Sequence, residues 1–171
     1  MKNISLLISD LRNRFKAEDD PFRFRDPGAL VDGDLQLLLR RTLQGNARRG
    51  VVPEYIFDMV QTDRQTIVMG RLSLRIGHTE HIELYAGHIG YSVEPPYRGR
   101  RLAARGCLLL LPLARAHGVN PLWITCNPDN AASRKTCEII GSTLVETVPI
   151  PPYDPLYSWD TRWKCRYRVD L

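Results

Sequence analysis

The sequence predicts a mixed α/β domain, and three stretches carry the prediction. The first is GYSVEPPYRGRRLAA, Gly90 to Ala104: a strand, a proline-marked turn and a basic helix start. Pro95 and Pro96 end the strand because proline has no N–H for a sheet ladder. The second is Gly99 to Gly141. It reads as a helix to His117, a short apolar strand Leu122 to Cys126, and a helix capped by Asp129 or Asn130. The third is the C-terminus. Trp163, Cys165, Tyr167, Val169 and Leu171 alternate with Lys164, Arg166, Arg168 and Asp170, which gives a strand one buried face.

The first stretch also carries chemistry. A helix start leaves backbone N–H groups without partners inside the helix, and the helix dipole adds partial positive charge there. Arg98, Arg100 and Arg101 crowd cations around it, and Gly99 permits close approach of a ligand. A phosphate or pyrophosphate fits such a site. A second block, WITCNPDNAASRKTCEIIG, follows one helix and one strand later, at Trp123 to Gly141.

The two blocks, in this order, resemble the GNAT superfamily of acyl-CoA N-acyltransferases over roughly residues 87–148. That family carries Arg/Gln-x-x-Gly-x-Gly/Ala after its fourth strand. Here the pattern starts at Arg98, Arg101 replaces the first patterned glycine, and Ala103 fills the last position. The family's Asn-x-x-Ala segment is matched with Asn130, Ser133 and Gly141 at the expected spacing. The resemblance implies a mostly antiparallel central sheet of about six to seven strands flanked by helices. It implies one domain over 1–171, with 1–28 as an N-terminal helical extension. It implies acetyl-CoA as co-substrate and no metal. Tyr91, Ser92 and Val93 would pair with pantetheine and supply an amide to the thioester oxygen. Arg98, Gly99, Arg100, Arg101, Leu102 and Ala103 would hold the pyrophosphate, and Asn130 the pantetheine arm.

The elements follow in order. Ile4, Leu7, Ile8, Leu11 and Phe15 form one apolar stripe at helical spacing, which Asp19, Asp20 and Pro21 end. Phe22 to Gly33 reads as irregular chain. Asp34 to Leu43 fits either period, and the resemblance favours a strand. Gly45, Asn46 and Gly50 make Gln44 to Val52 a loop. Tyr55 to Gln61 and Thr66 to Ile76 read as strands. Ile82 to Val93 reads as a long strand, with a break near Ala86-Gly87. Pro112 falls inside the following helix and predicts a kink, and Gly118 stops that helix. Thr143 to Val148 is a strand, and Pro149 to Tyr157 is a loop rich in proline and tyrosine. The family usually places two helices between its first two strands, and Gln44 to Pro53 is too short for them.

Acyl transfer to an amine needs a proton acceptor, a donor at the thioester oxygen, and help for the departing thiolate. His88 and Glu83 are equal candidates for the base, both on the strand expected to carry the thioester. Many relatives use a tyrosine seven residues after the asparagine as general acid. Cys137 occupies that position here, either as acid or as small apolar filler. Tyr153, Tyr157 and Trp159 are candidates for an aromatic wall at the acceptor, and Glu54, Asp58 and Asp154 for attracting a cationic amine.

Composition sets the limits. The chain has 171 residues and a net charge of +5, and only Lys2, Lys16, Lys135 and Lys164 among its basic residues are lysines. Arginine suits anions that accept paired hydrogen bonds. Nucleic acid ranks last as a partner, because the arginines gather at a phosphate-sized site. The four cysteines form no metal or disulfide spacing, which fits free thiols and a cytoplasmic protein. No apolar run is long enough for a membrane span. The expected activity is N-acetylation of a primary amine, on a small molecule or a peptide, by direct transfer in a ternary complex. The alternative is a non-catalytic acyl-CoA sensor on the same fold. A homodimer is compatible with either.

Overall fold

The computed structural model describes residues 21–158 and 160–171. The helix expected over Ile4 to Phe15 and residue Trp159 lie outside them. Among the described residues, eight strands form two antiparallel sheets. The first has the order β1-β2-β3-β4-β5, with β1 Leu30–Asp32, β2 Leu35–Leu43, β3 Glu54–Gln61, β4 Arg64–Arg75 and β5 Ile89–Val93. The second has the order β6-β8-β7, with β6 Leu122–Cys126, β7 Thr143–Pro149 and β8 Trp163–Val169. Two helices, α1 Leu102–Ala116 and α2 Ala131–Ile139, complete the described fold.

Leu35–Leu43 forms a strand, as the resemblance favours, with Asp34 in the preceding turn: Leu35 and Leu37 are buried against the core. The irregular chain read over 22–33 is corrected at its end. Leu30–Asp32 pairs with β2 through a tight turn in which Gly33 has a φ of 55°. Ahead of it, the Arg25 N–H donates to the Tyr55 hydroxyl at 2.6 Å, and Phe24 packs edge-on against Tyr55.

The long strand expected over Ile82 to Val93 is also corrected. His81–Ala86 is a wide helical turn, and β5 begins only at Ile89. Glu83 N–H bonds to Thr79 O, and Gly87 N–H reaches back to Ile82 O at 2.8 Å. Ile82 and Tyr85, three residues apart, are the buried pair of this turn. Gly87, with a φ of 72°, ends it against the backbone of Trp123, Ile124 and Thr125.

Helix α1 crosses the first sheet and buries Leu102, Cys107, Leu110, Leu113 and Ala114. It continues through Pro112. The carbonyl which that proline leaves without a helical donor belongs to Leu108, an exposed residue. Gly70 sets the spacing between β4 and β5: a methyl group there would collide with Ser92 O and crowd Val93 Cα. Gly70→Ala is therefore expected to lower stability by about 3 kcal/mol in urea unfolding, since backbone rather than a flexible side chain must yield.

Candidate functional site

His88, just ahead of β5, links the two sheets. His88 N–H donates to Trp123 O at 2.7 Å. Trp123 N–H in turn donates to His88 Nδ1 at 2.9 Å, and His88 Nε2 lies 3.1 Å from Gly77 O. Nδ1 is thus the acceptor and Nε2–H the donor. Beyond this bolt β5 and β6 separate. The bond from Glu94 N–H to Met69 O fixes the alternation along β5. Gly90, Ser92 and Glu94 turn their backbone groups to β4, so those of Tyr91 and Val93 face the gap. Unpaired strand groups of this kind require a partner. Val93 O has one, the Arg98 Nε–H at 3.1 Å.

The gap opens into a cavity of about 840 Å³. Tyr91, Ser92 and Val93 line it from β5, and Arg98, Gly99 and Arg101 from the connecting loop. Leu102 and Ala103 contribute the first turn of α1, and Asn130, Ser133 and Thr136 form the α2 wall. Gly99 and Arg101 have φ of 81° and 58°. That left-handed bend aims the start of α1 at the cavity, and its first internal bond is Arg105 N–H to Arg101 O. Among the described residues, no side chain caps this helix and no acid lies in its first turn. Its first amides therefore stay available to an anion.

Arg100 is a correction. Its guanidinium is bound to Asp34 at 2.5 Å, on the side of the loop away from the cavity. Arg105 grips the same β1–β2 turn through Asp32 and Asp34 at 2.7 and 2.8 Å. The hydrogen bond from Arg105, with the charge of Arg100, holds the Asp34 carboxyl below its usual range. The four side chains brace the loop from behind.

Asn130 caps α2, its Oδ1 accepting from Ser133 N–H at 3.0 Å. The Tyr91 hydroxyl spans the gap to Ser133 Oγ at 2.7 Å. Burial pushes this phenol far above its ordinary range, so it stays neutral.

The three catalytic candidates are not brought to this cavity. His88 is fully buried with both ring nitrogens committed. Burial lowers it to about 4, so it has no lone pair and little basicity to offer. Glu83 sits on the helical turn, paired with His78 Nδ1 at 2.8 Å. Cys137 is fully buried beside Cys126, and the hydrogen bond between the two thiols, together with burial, pushes Cys137 well up. All four cysteines are free and buried.

The expected acidic residues also disperse. Asp58 bonds Arg40 and Arg71 at 3.1 and 3.3 Å, and Glu54 bonds Arg75 at 3.1 Å, so both neutralise arginines of the first sheet. Tyr153 is exposed and Tyr157 half-buried. Asp154 is buried against His81, its Oδ2 lying 2.7 Å from Nδ1. That pair was not legible in the sequence, because 73 residues separate its members.

The second sheet has two distinct faces. Cys126 contacts Cys137 of α2, and the Tyr167 hydroxyl accepts from Arg134 of the same helix at 3.3 Å. On the other face, Thr125 Oγ donates to Tyr85 O at 2.7 Å. Arg166, opposite Thr125, donates to Glu83 O and lies over the Trp123 ring. The cavity therefore reaches the gap from the α2 face, and the His81 turn covers the opposite face.

The family model described as an acetyltransferase (GNAT) domain matches residues 9–143. No curated protein sequence matches the chain. Among solved structures, the chain is similar to a microcin C7 self-immunity acetyltransferase, MccE, in complex with acetyl-CoA and AMP. The identity is 19%, the TM-score 0.52, and the alignment covers 69% of this chain and 61% of that one. It is similar to RimL, a ribosomal L7/L12 alpha-N-protein acetyltransferase, at 21% identity and TM-score 0.52, over 72% of each chain. It is also similar to a ribosomal-protein-S5-alanine acetyltransferase from Vibrio fischeri, at 18% identity and TM-score 0.54, over 68% of this chain and 61% of that one. At these identities the likeness establishes the fold.

Proposed function

We propose, because the chain belongs to the GNAT acetyltransferase family, that it moves an acetyl group from acetyl-CoA to a primary amine within a ternary complex. One observation carries the reading. The free backbone edge of β5 and the uncapped start of α1 line a single cavity large enough for an extended cofactor. Pantetheine pairs with the Tyr91 and Val93 backbone, and the pyrophosphate takes the amides around Arg101 to Ala103. An amide of the β5 edge supports the thioester oxygen as negative charge develops on it. The neutral Tyr91 hydroxyl donates a hydrogen bond to the departing sulfur. MccE was solved with acetyl-CoA and AMP, which favours the same co-substrate here.

Titration of acetyl-CoA by calorimetry, with adenosine 3′,5′-bisphosphate as competitor, tests this. One-to-one binding at micromolar affinity that the bisphosphate competes is expected. Absence of binding at moderate salt overturns the cofactor site. Binding without transfer to any amine supports the sensor reading instead, which the absence of the three expected catalytic side chains from the cavity favours.

A further inference from the structure

We propose that His81 accepts the proton of the incoming amine and that Asp154 positions it; this rests on the acetyl-transfer reading above. Asp154 Oδ2 lies 2.7 Å from His81 Nδ1, and Asp154 Oδ1 accepts the Leu156 N–H at 2.8 Å. The Asp154 side chain is 5% exposed, while that of His81 is 37% exposed. An ionised carboxylate only accepts, so Nδ1 carries a hydrogen, and in the neutral ring the lone pair then lies on Nε2. Among the described residues Nε2 has no partner. A buried carboxylate that fixes one ring nitrogen and leaves the other open to solvent is the arrangement a general base requires.

The other histidines lack it. His88 has both nitrogens bonded. His117 bonds the Tyr55 hydroxyl at 2.6 Å. His78 pairs with Glu83 of the neighbouring turn, a carboxylate itself 37% exposed, and its ring lies edge-on to that of His88.

Position supports the role. The turn bearing His81 is fastened to β6 through Thr125 and Tyr85, on the face opposite α2. His81 does not line the cofactor cavity itself; in this proposal the amine arrives from the turn's face and meets a thioester entering the gap from the α2 face. The Lys164 ammonium, 2.7 Å from Asn127 Oδ1 at the end of β6, also feels the Asp154 carboxylate. The surrounding charges are Glu80 and Glu83 on the turn, and Lys164 and Arg166 on β8. Glu83 is taken by His78, Lys164 by Asn127, and Arg166 by Glu146 and Glu83 O. Among the described residues, the hydrogen-bond partner of the His81 ring is Asp154.

In the step itself the neutral amine nitrogen attacks the thioester carbonyl carbon. As the N–C bond forms, one N–H proton passes to His81 Nε2, and the C–S electron pair leaves on the sulfur of coenzyme A. Asp154 stabilises the resulting imidazolium.

Two measurements test this. Coenzyme A release from acetyl-CoA is followed with phenethylamine, spermidine and an alanine-ended peptide as acceptor probes. His81→Asn is expected to lose about a hundredfold in kcat with acetyl-CoA affinity unchanged, and added imidazole to restore part of the rate to His81→Gly. Separately, diethyl pyrocarbonate is expected to modify His81 at least about tenfold faster than His88, as mapped by peptide mass, because only an open lone pair reacts. Full turnover in His81→Asn, or His81 no more reactive than His88, overturns the proposal and leaves the cofactor site standing. Loss of acetyl-CoA binding in the unmodified protein overturns the acetyl-transfer reading itself. Binding without turnover on any probe overturns the base.

Discussion

His88→Ala is expected to lower stability by about 3 kcal/mol and to leave the acetyl-CoA affinity of the folded protein unchanged. The ring accepts from Trp123 N–H and lies within hydrogen-bond reach of Gly77 O, in a fully buried position. Removing it orphans a buried N–H at the junction of the two sheets. His88→Asn, which can present an acceptor near the Nδ1 position, should recover part of the loss. The pH dependence has a definite sign. Burial lowers His88 from 6.5 to about 4 in the folded protein, while the unfolded chain keeps the ordinary value. The unfolded state therefore binds the proton first. The contribution of His88 is complete above pH 6.5 and falls as pH drops through that value towards about 4. The loss is about 1.4 kcal/mol per pH unit and about 3 kcal/mol over the window. Urea unfolding of wild type and His88→Ala across this range should show the difference between them shrinking at acid pH. A constant difference would mean that the ring is not held neutral.

Arg101 separates folding from binding. Its φ of 58° costs a non-glycine residue about 1 kcal/mol. Arg101→Gly is expected to raise stability by about that amount and to keep acetyl-CoA affinity within about tenfold. Arg101→Asp tolerates the same backbone and places a carboxylate at the positive end of α1, worth up to about 1 kcal/mol. It places negative charge where the pyrophosphate is proposed to sit, so affinity should fall about a hundredfold, roughly 2.7 kcal/mol. Thermal unfolding and calorimetry on the three proteins decide this. Equal affinities would put the phosphates elsewhere. The two variants move stability together and binding apart, which no purely structural role of Arg101 produces.

The resemblance supplied the need for a turn-forming residue at this position, and the backbone shows why: the chain must enter α1 left-handed. Asn130 was legible for a similar reason. Its cap forms with a residue three positions away, and the lining of the cavity by Tyr91 to Val93, by Arg98 and Gly99, and by Arg101 to Ala103 follows from one continuous strand-turn-helix. The misread segment was Ile82 to Val93. Its apolar residues fit alternation, yet Ile82 and Tyr85 are buried at helical spacing, because β6 and β8 supply the surface that covers the turn.

By itself the sequence determined what depends on neighbours a few residues apart: the sheet-rich α/β class, the strand β8, the cap of α2, and the basic, uncapped start of α1; the alternation expected along β8 fails at Arg166, buried beneath the His81 turn, and at exposed Trp163. Tertiary structure decided what depends on partners between 11 and 73 residues apart. Asp34 turned Arg100 out of the site, Trp123 and Gly77 closed the ring of His88, and Asp154 oriented His81. Each is set by a hydrogen bond between segments that only the packed core brings within 3.1 Å. A side chain's protonation and direction follow from such bonds, so its chemistry is fixed only when the chain has folded.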